Sequence, residues 1–186
     1  MPYPSRKHID RCMPDEVLAV PHHGKQLIEI ILLKEEFLHD IEANIRKIEK
    51  NRPKDAPALL DADGKDDYLL CRYIDTAVSQ AVSRCQAYLL LPSPFVHRIS
   101  TNHAHEWDEK SIYLAMPMNW PPHVIGTLQH DVHNFIVFRT MQLFLSFADD
   151  KAAQQSDYQA SLFYNDINAD LSNRLGPLNV HPTFLG

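Results

Sequence analysis

Apolar residues are most concentrated in residues 118–148, MNWPPHVIGTLQHDVHNFIVFRTMQLFLSFA. Pro121 and Pro122 open this segment, and proline suits the first turn of a helix because its missing N–H would have no helical partner there. The apolar residues then recur at helical spacing, and from 135 to 147 they cover most of the circumference. A helix that is apolar nearly all round is buried on several sides. The pattern predicts the central helix of a bundle, whose most buried residues include Phe135, Phe138, Leu143 and Phe144.

Three other segments show the spacing of amphipathic helices. Residues 25–51 place apolar side chains three and four apart, with Lys34 where one more apolar residue is expected. Residues 66–90 carry a broad apolar stripe that ends before Pro92, since a residue before proline leaves the helical region. Residues 149–155 form a short polar connection or the frayed start of a last helix, which reaches about Leu175 before a Gly-Pro stop.

Residues 95–118 change from helical to alternating periodicity. Apolar side chains alternate with polar ones near both ends of this segment, and the middle part is polar. This pattern predicts a β-hairpin with a long tip, inserted between helix pairs. The expected fold class is therefore mainly α, a four-helix bundle with an inserted β-hairpin and extended N- and C-terminal arms.

The two ends carry apolar residues without a periodic element that would bury them. We predict an N-terminal arm at 1–23, a bundle domain at 24–176 that contains the hairpin at 95–118, and a C-terminal tail at 177–186. The arm is either disordered or becomes ordered on a neighbouring subunit, and the sequence favours neither reading. The hairpin tip adds a tryptophan, which either anchors an interface or folds back onto the bundle. The predicted interface residues are Tyr3, Trp107, Val180, Phe184 and Leu185.

Length and charge narrow the class of protein. A chain of 186 residues suits one domain with a substantial core. The longest strongly apolar run, 135–147, contains Arg139 and is too short to span a bilayer, so no membrane is expected as a partner. A net charge of −6 argues against a broad basic face for nucleic acid. The three cysteines, Cys12, Cys71 and Cys85, lack metal-site spacing, and we expect buried free thiols.

Eleven histidines invite a metal hypothesis. His123 and His130 share one face of the central helix, His133 lies beside them, and His103 and His105 sit at the predicted hairpin tip. Imidazoles at such positions can bind zinc, but no HExxH pair, cysteine partner or third ligand is fixed by the spacing. A polar helix face in solvent has the same pattern. We therefore expect no metal, no cofactor and no catalytic residue, because nucleophile elbows and phosphate loops are also missing from the sequence.

Two stretches resemble the head–tail connector, or adaptor, proteins of tailed bacteriophages. One runs from Asp66-Asp-Tyr-Leu-Leu-Cys-Arg-Tyr-Ile-Asp-Thr-Ala77 to Tyr88-Leu89. The other is Ile112-Tyr-Leu-Ala-Met-Pro-Met-Asn-Trp-Pro121, followed by His133-Asn-Phe-Ile-Val-Phe-Arg139. The likeness covers most of residues 66–174 and rests on helix patterns and on the order of helices, hairpin and extended termini.

The resemblance implies a structural virion protein without enzymatic activity, assembled in the host cytoplasm. Such a protein forms a homo-oligomeric ring at the neck, of twelve or six copies, and binds the portal protein and tail-side neck proteins. DNA would pass through the lumen without sequence-specific binding, and an acidic lumen would not hold it. Two other classes stay open: a metal-dependent helical-bundle enzyme that uses His130 and His133, and a small cytosolic helical binding module.

Overall fold

The computed structural model describes residues 24–60, 67–90 and 107–175 of the chain. The elements, in chain order, are a strand, a helix and a second helix, then a second strand and two further helices. Short 3-10 turns at Gln86–Tyr88 and Pro122–Val124 follow the second helix and precede the third. The bounds are β1 Lys25–Leu33, α1 Lys34–Lys50, α2 Asp67–Arg84, β2 Glu109–Pro117, α3 Ile125–Leu145 and α4 Asp150–Ser172.

The two strands form an antiparallel pair in the described part of the chain. Lys25 lies opposite Pro117, and the register continues to Leu33 opposite Glu109. Ile28, Ile30 and Leu32 of β1 are buried, which gives the alternation of a half-buried strand. The backbone N–H of Leu90 donates to the carbonyl of Tyr113, so the chain after α2 borders the other edge of β2.

Helix α3 lies at the centre of the bundle and contacts α1, α2, α4 and β1. Its buried side chains point in several directions, as expected for a helix that is apolar nearly all round. The burial prediction is confirmed for Phe135 and Phe144, whereas Phe138 and Leu143 are only half-buried. Phe147, just beyond the helix, exposes 89% of its surface.

The predicted fold class is confirmed: the chain is mainly helical, and residues 24–60, 67–90 and 107–175 contain four helices and one antiparallel strand pair. The prediction of a helix over all of 25–51 is wrong, because its first nine residues form β1. The second strand of the predicted hairpin is present as β2, and its described partner is β1. Residues 95–100, the predicted first strand, lie outside the described part of the chain.

The short loop between α3 and α4 is fixed by a helix cap. Asp149 accepts a hydrogen bond from the backbone N–H of Ala152 at 3.0 Å, and its Oδ2 lies 3.4 Å from Arg52 Nε. A carboxylate at this position pairs an open N–H and complements the helix dipole. In the described ranges, no helix combines the length and the hydropathy that crossing a membrane requires.

Candidate interaction surface and polar sites

The histidine side chains of α3 contact different residues and do not point toward a common site. His130 Nδ1 lies 3.1 Å from Asp131 Oδ1 on the same helix. His133 Nε2 lies 2.9 Å from Asp40 of α1, and its ring stacks on Phe37 with centroids 4.8 Å apart. His123 is exposed. No group of three or more possible metal ligands occurs in the described ranges, and His103 and His105 lie outside them.

Trp107 is buried against the bundle and exposes only 9% of its surface. Its indole Nε1 donates to Asp75 Oδ1 of α2 at 2.6 Å. Lys110 Nζ lies 4.3 Å from the centre of the indole ring, and Lys34 Nζ lies 5.6 Å from it. Of the two readings of this tryptophan, the exposed interface anchor is therefore wrong and the folded-back side chain is correct. The other predicted interface residues, Tyr3, Val180, Phe184 and Leu185, lie outside the described residues.

Lys34 and Lys110 share the buried environment around Trp107. Burial lowers the pKa of Lys110, the carboxylate of Asp75 opposes that effect, and the charge of Lys34 adds to it. Lys110 Nζ lies 3.5 Å from Asp75 Oδ1. The cluster therefore joins the end of the strand pair to α2. Lys34 interrupts the apolar spacing of residues 25–51 because its buried side chain contacts the Trp107 ring.

A second tryptophan, which the sequence did not single out, joins three parts of the chain. Trp120 is fully buried, and its indole N–H donates to the carbonyl of Asp170 near the end of α4 at 2.7 Å. Its own carbonyl accepts a hydrogen bond from Gln26 Nε2 in β1 at 2.5 Å. Its position between two proline-containing turns, MPMNWPP, was the only local signal for such a role.

Three carboxylates gather between α3 and α4 close to Trp120. Burial, together with the negative charges of Asp131 and Asp166, raises the pKa of Asp170 to about 6. Burial is the largest of these causes. Asp131 is buried, with His130 as its hydrogen-bond partner. Oδ2 of Asp170 is buried and accepts no hydrogen bond within the described part of the chain. This carboxylate cluster lacks the ligand convergence of a metal site.

Of the two described cysteines, Cys71 and Cys85, one is buried. Cys85 is buried, and burial raises the pKa of its thiol to about 12 against the opposing charge of Arg84. A thiol with such a pKa is not a nucleophile at neutral pH. Cys71 is a half-buried free thiol, so the expected burial is confirmed for Cys85 only; Cys12 lies outside the described residues.

Large apolar side chains are exposed on α4 and at the loop that precedes it. Tyr158 and Leu162, one helical turn apart on the same face of α4, expose 62% and 40% of their surfaces. Phe147 exposes 89% in the loop between α3 and α4. We refer to Phe147, Tyr158 and Leu162 as the α4 surface. Exposed apolar side chains that lie together on one face, as Tyr158 and Leu162 do, can form a site where another protein binds.

An open groove of about 460 Å³ lies between α2, α3 and α4. Its walls combine aromatic rings, amides and hydroxyls with one ion pair, that of Arg139 and Asp157 at 3.1 Å. Arg139 also donates to Gln80 of α2 at 2.9 Å, so its side chain links α3 to both α2 and α4. The lining residues are Gln80, Ser83, Phe135, Arg139, Asp157, Ala160, Ser161, Tyr164 and Asn165.

No model of a protein family, no curated protein and no solved structure matches this chain.

Proposed function

We propose that this chain is a structural protein of a tailed-phage virion, which assembles with copies of itself into a ring at the head–tail neck. In this role the chain has no catalytic activity, and it binds the portal protein on one side and tail-side neck proteins on the other. The observation that carries the proposal is the α4 surface, where the large apolar side chains of Phe147, Tyr158 and Leu162 are exposed to solvent. The resemblance of residues 66–174 to connector proteins supports the same assignment.

The α4 surface fits a contact between neighbouring copies in a ring. A ring closes through a heterologous interface, in which one face of a subunit binds a different face of the next subunit. The core of such an interface contains aromatic and aliphatic side chains that water would otherwise contact. Helix α4 is held rigidly through its packing against α3, so Tyr158 and Leu162 are presented without further ordering of the backbone.

Replacing Tyr158 and Leu162 together by serine should weaken assembly by at least about tenfold while leaving the bundle folded, because interface anchors cost more than about 1 kcal/mol when truncated. The measurement is the sedimentation of the variant alone and with the portal protein of the same genome, followed by electron microscopy of the particles. Replacing Lys151 and Gln154, two exposed polar residues of the same helix, by serine is the matched control. A Tyr158/Leu162 variant that forms rings like the wild-type chain would show that the α4 surface is not the interface.

The N-terminal arm gives a second prediction from the same proposal. Deleting residues 1–23 should leave the helical circular dichroism spectrum unchanged but abolish ring formation on the portal, because the arm would order on a neighbouring subunit. Truncated protein that still assembles into particles retaining DNA would show that the arm is dispensable.

A further inference from the structure

The guanidinium of Arg84, at the end of α2, lies against an aromatic ring and forms no hydrogen bond with a described residue. The central carbon of its guanidinium lies 4.2 Å from the centre of the Tyr164 ring on α4. This distance is well within the range of a cation–π contact, which uses the face of the aromatic ring and leaves the terminal nitrogens of the cation available.

The guanidinium of Arg84 has no acceptor in the described part of the chain. Its Nε is buried without a hydrogen-bond partner, and neither an ion pair nor a hydrogen bond joins its other nitrogens to a described residue. Two other half-buried arginines do have acceptors: Arg139 donates to Gln80, Gln142 and Asp157, and Arg174 donates to backbone carbonyls and the Tyr88 hydroxyl. A partly buried guanidinium without an acceptor is costly, and an arriving oxyanion would recover that cost.

The position of Arg84 connects it to the groove between α2, α3 and α4. Ser83, the preceding residue, and Tyr164, the stacking partner, both line the groove. Arg84 is not itself a lining residue, and its guanidinium lies beside the groove through its contact with the Tyr164 ring. Further in, the rings of Phe135 and Tyr164 lie 5.6 Å apart and form an apolar wall. The volume of about 460 Å³ lies within the range of small-molecule sites.

We propose that this groove binds a small organic carboxylate, with Arg84 as the residue that recognises the carboxylate group. The fork of a guanidinium matches the two oxygens of a planar carboxylate and binds them through parallel hydrogen bonds. The apolar body of the ligand packs on Phe135 and Tyr164, and the hydroxyl of Ser83 and the amide of Asn165 supply further hydrogen bonds. This site is independent of the ring assembly proposed above, because it uses neither Tyr158 nor Leu162.

The test compares benzoate with benzamide, two probes of the same shape of which only benzoate is an anion. Titrations of the full chain are followed by the NMR signals of the backbone and of the Arg84 Nε–H. We expect benzoate to shift the signals of Ser83, Arg84 and Tyr164 and to bind at least about tenfold more tightly than benzamide, since hydrogen bonds to charged groups contribute more than neutral ones. Added sodium chloride should weaken benzoate binding only.

Three variants locate the effect. Arg84→Gln should remove the preference for benzoate, and Arg84→Lys should retain part of it, because lysine keeps the charge but not the fork. Arg72→Gln removes the same charge from an exposed position on the same helix and should leave benzoate binding unchanged. Equal binding of the two probes, or shifts that persist in Arg84→Gln, would overturn the proposal. It would also be overturned if benzoate leaves the signals unchanged while Arg84→Gln abolishes self-association in sedimentation, because the acceptor would then be a carboxylate of another copy.

Discussion

Replacing Trp120 by alanine should lower the free energy of unfolding by roughly 3–5 kcal/mol, the usual cost of truncating a large buried aromatic residue. The expected cost is at the upper end because the side chain is fully buried and because its N–H is the hydrogen-bond partner of the Asp170 carbonyl. Urea unfolding, followed by circular dichroism, measures the change. A domain with the ordinary stability of 5–15 kcal/mol would lose much of its margin.

Two further variants separate the contributions of Trp120. Trp120→Phe keeps most of the apolar burial and removes the hydrogen bond, so we expect a smaller loss of roughly 1–3 kcal/mol. Phe147→Ala removes an aromatic ring that is 89% exposed and should change stability by less than about 0.5 kcal/mol. If Trp120→Ala cost less than about 1 kcal/mol, Trp120 would not join the strand pair to α4 as described.

The sequence predicts those elements whose residues show a helical or alternating pattern of their own. Helices α2, α3 and α4 were all predicted, with ends shifted by a few residues, because a stripe of apolar residues at helical spacing is a local signal. The proline pair before α3 was also informative, since Pro122 begins the 3-10 turn that leads into the helix. The strand β2 was predicted from its alternation for the same reason.

Strand β1 could not be predicted in the same way, because its residues satisfy two periods. Leu27 and Ile31 fit helical spacing with the apolar residues of α1, while Ile28, Ile30 and Leu32 alternate and are buried in the strand. The choice between helix and strand depends on β2, whose residues lie more than seventy positions later in the chain than their partners in β1. Isoleucine-rich segments favour strands when such a partner is present, and a local pattern does not contain that information.

The polar sites show the same dependence on distant partners. Trp107 was read either as an interface anchor or as a folded-back side chain, and Asp75, 32 positions away, decides between them. Trp120 has partners 50 and 94 positions away, at Asp170 and Gln26. Arg84 contacts Tyr164 of α4, which lies 80 positions later in the chain. Of these three residues the sequence singled out only Trp107, and the contacts of all three depend on the tertiary structure.

Asp170→Asn should stabilise the protein at neutral pH and have little effect near pH 4. Burial, together with the charges of Asp131 and Asp166, raises the pKa of Asp170 from 3.8 to about 6 in the folded chain. The folded state therefore keeps a proton that the unfolded state releases between these two values. The stability that the protonated carboxyl provides is present below about pH 4 and is lost as the pH rises through about 6.

The stabilisation by Asp170→Asn depends on how far the pKa of Asp170 in the folded chain lies above its value of 3.8 in the unfolded chain. A shift of about two pKa units corresponds to roughly 3 kcal/mol as an upper limit, and partial exposure of Asp170 to solvent reduces it to about 1–2 kcal/mol. Asparagine has no charge to bury. The free energy of unfolding of Asp170→Asn should therefore lack the decrease that the wild-type chain shows between pH 4 and 6. Urea unfolding of both proteins at a series of pH values gives the difference, in which the titration of unrelated groups cancels.

The neighbours of Asp170 provide the control. Asp166→Asn removes one of the two charges that raise the pKa of Asp170, so the pH-dependent decrease should remain but have its midpoint at a lower pH. The charge on Asp131 persists in that variant, with His130 as its partner. A constant difference between Asp170→Asn and the wild-type chain from pH 4 to 7 would show that the carboxylate cluster does not titrate with folding. The buried Oδ2 would then accept a hydrogen bond from a donor outside the described residues, and Asp170 would be an ordinary ionised aspartate.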